Sequence, residues 1–474
     1  MRFRLFPSLA LVIACSISCS SSSSSNPSAS TPGNDAAVEQ DGAPEDAALD
    51  QGLDATSGED AVDGDGSSIP DATQDQAVED ALPPGAQLVI ENVFVSGAWM
   101  GEAVMVVGPD GTSVLIDTAS GLHAAALFEA IERNVGKRSV DWVVITHYHE
   151  DHIGGFDKLF RASTVNGDNP AVIQRGVVTR GMVDIGADNV GANGFGQLCS
   201  WLGDAAHASL RHDLCSGPAQ APCDGSTTGA PWAASSCDGL RMGVLDDPGD
   251  DGAGALSTIQ LGGGASIVFF AANAHVASGA GVESAEQSGV VVGEGANGPE
   301  NGRSVGAILR WGNFSYVFAG DMTGEGESDN PDIESFVVGK APGILVQPGG
   351  APLFETGMSD VVHVSHHGYN TSTNQAWVDW LLPNDGQARN AVIGANHNYL
   401  LAPAAKVLGR LGPRVGAGSI WVTEPGTGGS SHPRLVAAKG AVVIRVKDDG
   451  NAYSVAPRTG GVEGPAQEFV STSP

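Results

Sequence analysis

Thr146-His147-Tyr148-His149-Glu150-Asp151-His152-Ile153-Gly154-Gly155 decides how this chain is read, because it sets three histidines and two acids in six residues directly after the apolar run Val143-Val144-Ile145. In an extended segment residues two apart point the same way, so His147 and His149 can reach one ion from the end of a strand. Asp151 and His152 are adjacent and diverge, which assigns them to a second ion beside the first. A polar loop with solvated histidines is the plainer alternative. Four potential ligands at this spacing, ending a strand and followed by a Gly-Gly turn, favour metal binding.

Outward from this stretch the sequence alternates strand and helix signals from about Gln87. Leu88-Val89-Ile90 and Val93-Phe94-Val95 read as strands, and Gly101 to Val107 and Ser113 to Ile116 flank a Pro109-Asp110-Gly111 turn as a hairpin. Asp117 closes that hairpin, Leu122 to Val135 has helical periodicity, and Val140 to Ile145 is a buried strand leading into the histidines. A helix follows from Asp151 through Phe160. Later strands are expected at Ala265 to Phe270, Val305 to Trp311, Phe314 to Ala319, Val361 to Val364, Ala391 to Gly394, Ser419 to Val422 and Val442 to Val446. Helices are expected at Gln375 to Leu382 and Ala404 to Leu411. This order predicts an α/β fold, a sheet backed by helices. Asp117, Asp321 and His366 all end strands, so they converge with the opening stretch on one sheet edge as a single dinuclear site.

The rest of the chain carries less chemistry. Arg2 and Arg4 before the short run Leu5 to Ala14 form a targeting segment, too short to span a bilayer. Val12-Ile13-Ala14-Cys15 resembles a bacterial lipoprotein cleavage box, giving a signal peptide at 1–14, a lipidated Cys15 and an extracytoplasmic, membrane-anchored protein in the periplasm or on the cell surface. An ordinary secretory signal is the alternative. Positions 15–84 hold 15 acids and no Lys or Arg, so they read as a disordered, self-repelling tether. The formal net charge is −32, and residues 86–474 keep 40 acids against 21 bases. That sign disfavours nucleic acid as a partner. Cys199, Cys215, Cys223 and Cys237 fall in a Gly/Asn/Asp-rich insertion at 164–257 and predict two disulfides with three possible pairings.

Together, Gly101-Glu102-Ala103, Leu115-Ile116-Asp117, the histidine stretch, Asn301-x-x-Ser304, Gly320-Asp321 and Val364-Ser365-His366-His367-Gly368 with Thr371-Ser372-Thr373 resemble the metallo-β-lactamase superfamily. The resemblance is closest to the branch related to the hydrolase domain of the ComEC competence channel. It implies an αββα sandwich over 85–457, with 458–474 as a tail. It also implies His147 and His149 on the first ion, Asp151 and His152 on the second, Asp321 bridging, His366 completing the second site, and Asp117 behind the ligands, orienting the loop. Two features depart from the pattern. The position of a third first-site histidine falls on Glu300-Asn301, with His275 out of register. The branch's Tyr-Gly-His-Pro is here Asn398-Tyr399-Leu400-Leu401-Ala402-Pro403.

Two divalent cations, zinc first among them, can bind a shared water and lower its pKa until hydroxide exists near neutrality. The expectation is therefore hydrolysis of an ester-type bond, a phosphodiester above others, in a small or local substrate. Asp151 and Asp321 orient the hydroxide, with His367 as a further catalytic group, and Asn301, Ser304 and Ser372 contact the substrate. The alternatives are a tethered, metal-containing binding lipoprotein without turnover, and extracytoplasmic DNA processing.

Overall fold

The computed structural model describes residues 87–472, apart from position 98 and segments 161–176, 185–209 (198 and 201 excepted), 216–236, 246–253, 280, 291–297, 327–329, 347–349 and 355–358. The expected signal peptide, the tether, Cys15, Cys199 and Cys223 lie outside the described residues.

Strands β1 (Leu88–Asn92), β2 (Val104–Val107), β3 (Ser113–Ile116), β4 (Ser139–Val144), β5 (Val177–Asp184) and β6 (Arg211–Asp213) begin one sheet. A second sheet follows: β7 (Thr258–Gly262), β8 (Ala265–Ala272), β9 (His275–Ser278), β10 (Gly281–Ser284), β11 (Gly306–Trp311), β12 (Phe314–Phe318), β13 (Val361–His363), β14 (Asn390–Ile393), β15 (Ile420–Val422) and β16 (Leu435–Ala437). The chain then returns to the first sheet with β17 (Ala441–Lys447), β18 (Ala452–Thr459), β19 (Val462–Glu463) and β20 (Gln467–Val470). The first sheet runs β19-β18-β17-β1-β2-β3-β4-β5-β6 and the second β10-β9-β8-β11-β12-β13-β14-β15-β16, with β20 beside β18 and β7 beside β8.

The central strands are buried throughout because both faces are covered: β2 reads Val-Met-Val-Val, and β14 Asn-Ala-Val-Ile, apolar after its first residue. Inner faces of the two sheets share one hydrophobic core. Two polar bridges cross it, Tyr316 Oη donating to Asn92 Oδ1 at 3.0 Å and Asn390 Nδ2 donating to Tyr453 Oη at 3.1 Å. Helix α1 (Ala124–Val135) turns Leu127, Phe128, Ala130 and Ile131 inward against β2 and β4. It stops at Gly136, whose φ of 75° makes it the left-handed residue after the last turn. The β2–β3 hairpin is set by Asp110, whose Oδ1 accepts from Thr112 N at 2.8 Å, and by Gly111 at φ 87°.

The strand-helix transition at the histidines depends on backbone contact. Helices α2 (Glu150–Ile153) and α3 (Phe156–Phe160) are separated by Gly154-Gly155, where one continuous helix was expected. A Cβ on Gly155 would stand 2.1 Å from Thr118 O, and Gly155 N donates to Ala119 O at 2.7 Å. Glycine thus lets the histidine loop close onto the chain just after β3.

Three expectations are corrected. Val93–Val95 is a loop, not a strand, with Val95 O accepting from Asn396 Nδ2. Part of the 164–257 insertion belongs to the sheet: β5 pairs parallel with β4 and β6 with β5, because Val177-Val178 and Met182-Val183 continue the apolar pattern between polar flanks. The expected tail is likewise structured, β19 and β20 both pairing with β18 at the sheet edge. Cys215 and Cys237 form a disulfide. No helix of the described residues is long and apolar enough to cross a membrane.

Candidate metal centre

The loop after β4 places His147 and His149 at the strand end, and α2 carries Asp151 and His152 one turn on. Asp321 follows β12, and His366 and His367 lie in the turn after β13. These strand ends meet at one edge and form two donor groups, His147/His149/Asp321 and Asp151/His152/His367, in each of which the ligand atoms lie within 4.8 Å of one another. His147 Nε2 is 3.1 Å from His149 Nδ1 and 3.7 Å from Asp321 Oδ2. His152 Nε2 is 3.3 Å from Asp321 Oδ1 and from His367 Nε2, and His367 Nε2 is 3.5 Å from Asp151 Oδ2 and from Asp321 Oδ2. Asp321 therefore stands between the groups.

A layer of hydrogen bonds behind the donors fixes their orientation. Asp117, at φ 58°, accepts from Thr146 N (2.8 Å, Oδ1) and Thr146 Oγ1 (2.7 Å, Oδ2), and its Oδ2 lies 2.9 Å from His152 Nδ1. Thr146 Oγ1 is also 3.1 Å from His147 Nδ1. His367 Nδ1 lies 2.9 Å from Gly394 O and 2.7 Å from Glu102 Oε2, with its N–H aimed at the carbonyl and the carboxylate acting as a close charge. Glu102 Oε1 meets His363 Nε2 at 2.9 Å. Tyr399 donates its hydroxyl to Asp151 Oδ2 at 3.1 Å and stacks on His367, centroids 3.9 Å apart.

Burial lowers His147 well below the usual imidazole range and His366 to about 4. Both are neutral near pH 7, the form that ligates metals. Burial also disfavours charge on His152 and His367, yet Asp321, helped by Asp151 and Asp117 around His152 and by Glu102 beside His367, raises both well above that range. Against their own burial, Asp151 and Asp321 are held far down, chiefly by His152 and then His367. Burial raises Asp117, opposed by His152 and Thr146. In Glu102 burial is overcome by His363 and His367, which hold it at about 2. The carboxylates that favour positive charge on these two rings would favour a divalent cation among them in the same way. The donor set fits such ions, and Asp321 Oδ1 and Asn301 Oδ1 are buried without a hydrogen-bond partner.

The six residues expected at the metals all converge, with one difference in grouping. His367, not His366, joins Asp151 and His152. His366 stands outside both compact groups, its Nε2 3.8 Å from Asp321 Oδ2. This follows from two successive left-handed residues, His366 (φ 52°) and His367 (φ 53°), which turn neighbouring rings apart. Asn301 lies beside His366, Nδ2 to Nε2 3.2 Å. Ser304 and Ser372, expected at the substrate, are buried braces: Ser304 Oγ accepts from Asp321 N at 3.0 Å, and Ser372 Oγ donates to Ser365 O at 2.7 Å. His275 bonds Asn273 O, and His397 pairs with Glu424. Sequence reasoning missed Glu102, His363, Gly394 and Tyr399. The Gly101-Glu102-Ala103 motif was a visible signal for the first, whereas the others are brought in by the fold. Trp99, Leu400 and Leu401 are large apolar residues left exposed near this edge, the last two following Tyr399.

Residues 97–176 match the family model described as the metallo-beta-lactamase superfamily. A search of curated proteins gave no match. Among solved structures, two of a Cronobacter sakazakii metallo-beta-lactamase with a HARLDQ motif are 12% and 13% identical, each covering 53% of this chain and 70% of theirs, with TM-scores of 0.26 and 0.24. A protein of unknown function from Enterococcus faecalis is 10% identical over 74% of this chain and 73% of its own, with a TM-score of 0.26. The matched segment runs from the loop before β2 through the histidine stretch, and the mixed α/β architecture with two large sheets agrees with a metallo-β-lactamase-like fold.

Proposed function

Taking as premise that this chain carries a metallo-beta-lactamase superfamily domain, we propose that it is a metal-dependent hydrolase of an ester-type bond, with phosphodiesters the first substrate class. One observation carries the reading: two donor groups, His147/His149/Asp321 and Asp151/His152/His367, flank one shared carboxylate. Two divalent cations there would supply Lewis acidity toward water and the scissile group, and zinc suits a set so rich in imidazole. The chain's own residues do the positioning. Asp321 faces both groups, Tyr399 orients Asp151, and Asp117 with Thr146 fixes the rings of His147 and His152. Glu102 and Gly394 hold His367. Asn301 is the polar side chain next to the donors that is proposed to meet a substrate oxygen.

A small substrate is favoured over a long polyanion by the net charge of −32 and by the exposed Trp99, Leu400 and Leu401. Placement in the ComEC-related branch is part of the proposal and rests on the Asn-x-x-Ser and Ser-His-His-Gly motifs. Anchoring outside the cytoplasm through a lipidated Cys15 rests on sequence pattern, and a Cys15→Ser chain that still partitions with membranes would remove that site.

The test is metal analysis of the full chain paired with hydrolysis of an aryl phosphodiester, a lactone and single-stranded DNA. About two metals per chain and diesterase activity abolished by Asp151→Ala support the enzyme. A metal-loaded chain inert on all three substrates indicates binding without turnover. A chain that takes up no zinc refutes the metal centre.

A further inference from the structure

We infer that His366 is a donor to the first cation, completing the set with His147, His149 and Asp321. The inference rests on the metal centre proposed above and identifies the ligand that the sequence leaves missing there. Four imidazoles turn the same atom toward Asp321. Nε2 of His147, His366 and His367 stands 3.7, 3.8 and 3.5 Å from Oδ2, and Nε2 of His152 stands 3.3 Å from Oδ1. In each ring the opposite nitrogen is engaged. Thr146 Oγ1 lies 3.1 Å from His147 Nδ1, Asp117 Oδ2 2.9 Å from His152 Nδ1, Gly394 O 2.9 Å from His367 Nδ1, and Thr371 Oγ1 2.8 Å from His366 Nδ1. A ring tied at Nδ1 and aimed by Nε2 is how proteins hold a ligating histidine. His366 shares that arrangement with three rings whose donor role is already assigned, without belonging to either compact group.

Coordination number decides which ion it serves. Asp151, His152 and His367 with Asp321 already make four donors, the usual number for zinc, whereas His147, His149 and Asp321 make three. Donors about 2.0–2.1 Å from a tetrahedral zinc lie roughly 3.4 Å from each other. His147 and His366 approach the same oxygen of Asp321 at 3.7 and 3.8 Å, close to that spacing, as does His367 at 3.5 Å, which already belongs with Asp151 and His152. The backbone agrees. His366 and His367 both hold left-handed backbone, φ 52° and 53°, which side chains of this kind rarely adopt. They set the two rings 6.1 Å apart at 64°. A turn that used only one histidine would not need both strained residues.

The test uses the full chain, titrated with cobalt(II) against a competing chelator, with stoichiometry from elemental analysis. His366→Asn is the variant, since asparagine tolerates the left-handed backbone and keeps the turn folded. The expected result is two ions in the wild type and, in the variant, one ion held as before with the other weakened at least about tenfold, the lower end of what loss of ligand support costs. Double variants name the ion. His366→Asn combined with His149→Asn is expected to be strongly non-additive, because both act on one ion, and combined with His152→Asn to couple less, since those two meet only through Asp321. Thr371→Val, which frees Nδ1, weakens the same ion less, and it carries the test if His366→Asn fails to fold. Two ions with unchanged affinities in both His366→Asn and Thr371→Val overturn the assignment, as does additivity with His149→Asn. A wild-type chain that binds no metal refutes the centre itself, a separate outcome.

Discussion

Replacing Asp117 by asparagine tests how the fold controls its candidate metal donors. Asp117 Oδ1 accepts from a backbone amide, Thr146 N at 2.8 Å, which can only donate. The side-chain amide of asparagine must therefore put its oxygen there and its NH2 where Oδ2 now sits, facing Thr146 Oγ1 at 2.7 Å and His152 Nδ1 at 2.9 Å. A donor in that place obliges His152 Nδ1 to accept, moving the ring proton to Nε2. That atom is the one 3.3 Å from Asp321 Oδ1 and His367 Nε2. Thr146 Oγ1 loses its acceptor at the same time and is free to donate to His147 Nδ1, 3.1 Å away, which drives the same switch in the other donor group. The φ of 58° at position 117 is one asparagine tolerates, so the change acts on tautomers with the backbone left in place. Supporting groups of this kind set metal affinity by about 10- to 100-fold, or roughly 1.4–2.8 kcal/mol. Zinc titration of the full chain against a chelator at neutral pH, with circular dichroism as the check on folding, measures it. Asp117→Ala separates the two effects, since it leaves Thr146 N unsatisfied and costs about 1–3 kcal/mol of stability as well. A folded Asp117→Asn chain with zinc affinity unchanged from the wild type would refute the reasoning.

Three further outcomes are expected. Glu102 is held at about 2 against its ordinary 4.5, so in metal-free protein its ion pairs stabilise the fold above the unfolded value and are lost as pH falls from 4.5 toward 2. Urea unfolding with chelator present should show the wild-type advantage over Glu102→Gln shrinking across that window, and a constant difference would contradict it. Glu91 is buried against Arg458, Arg133 (2.5 Å) and Asn134 (2.8 Å), and Glu91→Gln leaves Arg458 with less of its counter-charge; about 3–5 kcal/mol of stability should disappear in denaturant titration with metal content unchanged. The Cys215–Cys237 disulfide closes a loop with a sequence separation of 22, so the double serine variant should lose about 3 kcal/mol, read as a lower denaturant midpoint.

What the sequence could reveal follows from how local each signal is. The hairpin at Pro109-Asp110-Gly111, the helix reaching Val135 and the buried strand before His147 are each specified within a short run of residues, and each formed within three residues of where it was read. That the candidate metal donors gather at one edge was legible for the same reason, since their spacing and their positions at strand ends are sequence properties. Whether His366 or His367 meets Asp151 is not local. Both occupy one turn, and the answer depends on two backbone dihedrals and on Thr371 and Gly394 behind the rings. Ser304 and Ser372 show the converse limit. A hydroxyl in a motif reads alike whether it meets a substrate or a carbonyl, and here the nearest acceptors and donors are the chain's own Asp321 N and Ser365 O.

Tyr399 carries the argument further. In sequence it appears only as a residue near a missing histidine, yet the fold stacks its ring on His367 and sets its hydroxyl on Asp151, two donors of the same group. The loop that holds it is tied to the opposite rim by Asn396 and Asn398, both donating to Trp99 O. A neutral phenol therefore stands against two of the donors from the very loop where the resemblance placed an ionisable imidazole. Burial and the nearby carboxylates raise its pKa well above the ordinary tyrosine range, so it stays a hydrogen-bond donor wherever the protein is folded. The consequence is mechanistic. This rim can orient Asp151 and hold His367 flat, but it offers no group at position 399 that exchanges protons near neutrality, so in the proposed hydrolysis a proton for the leaving group would come from another side chain or from water.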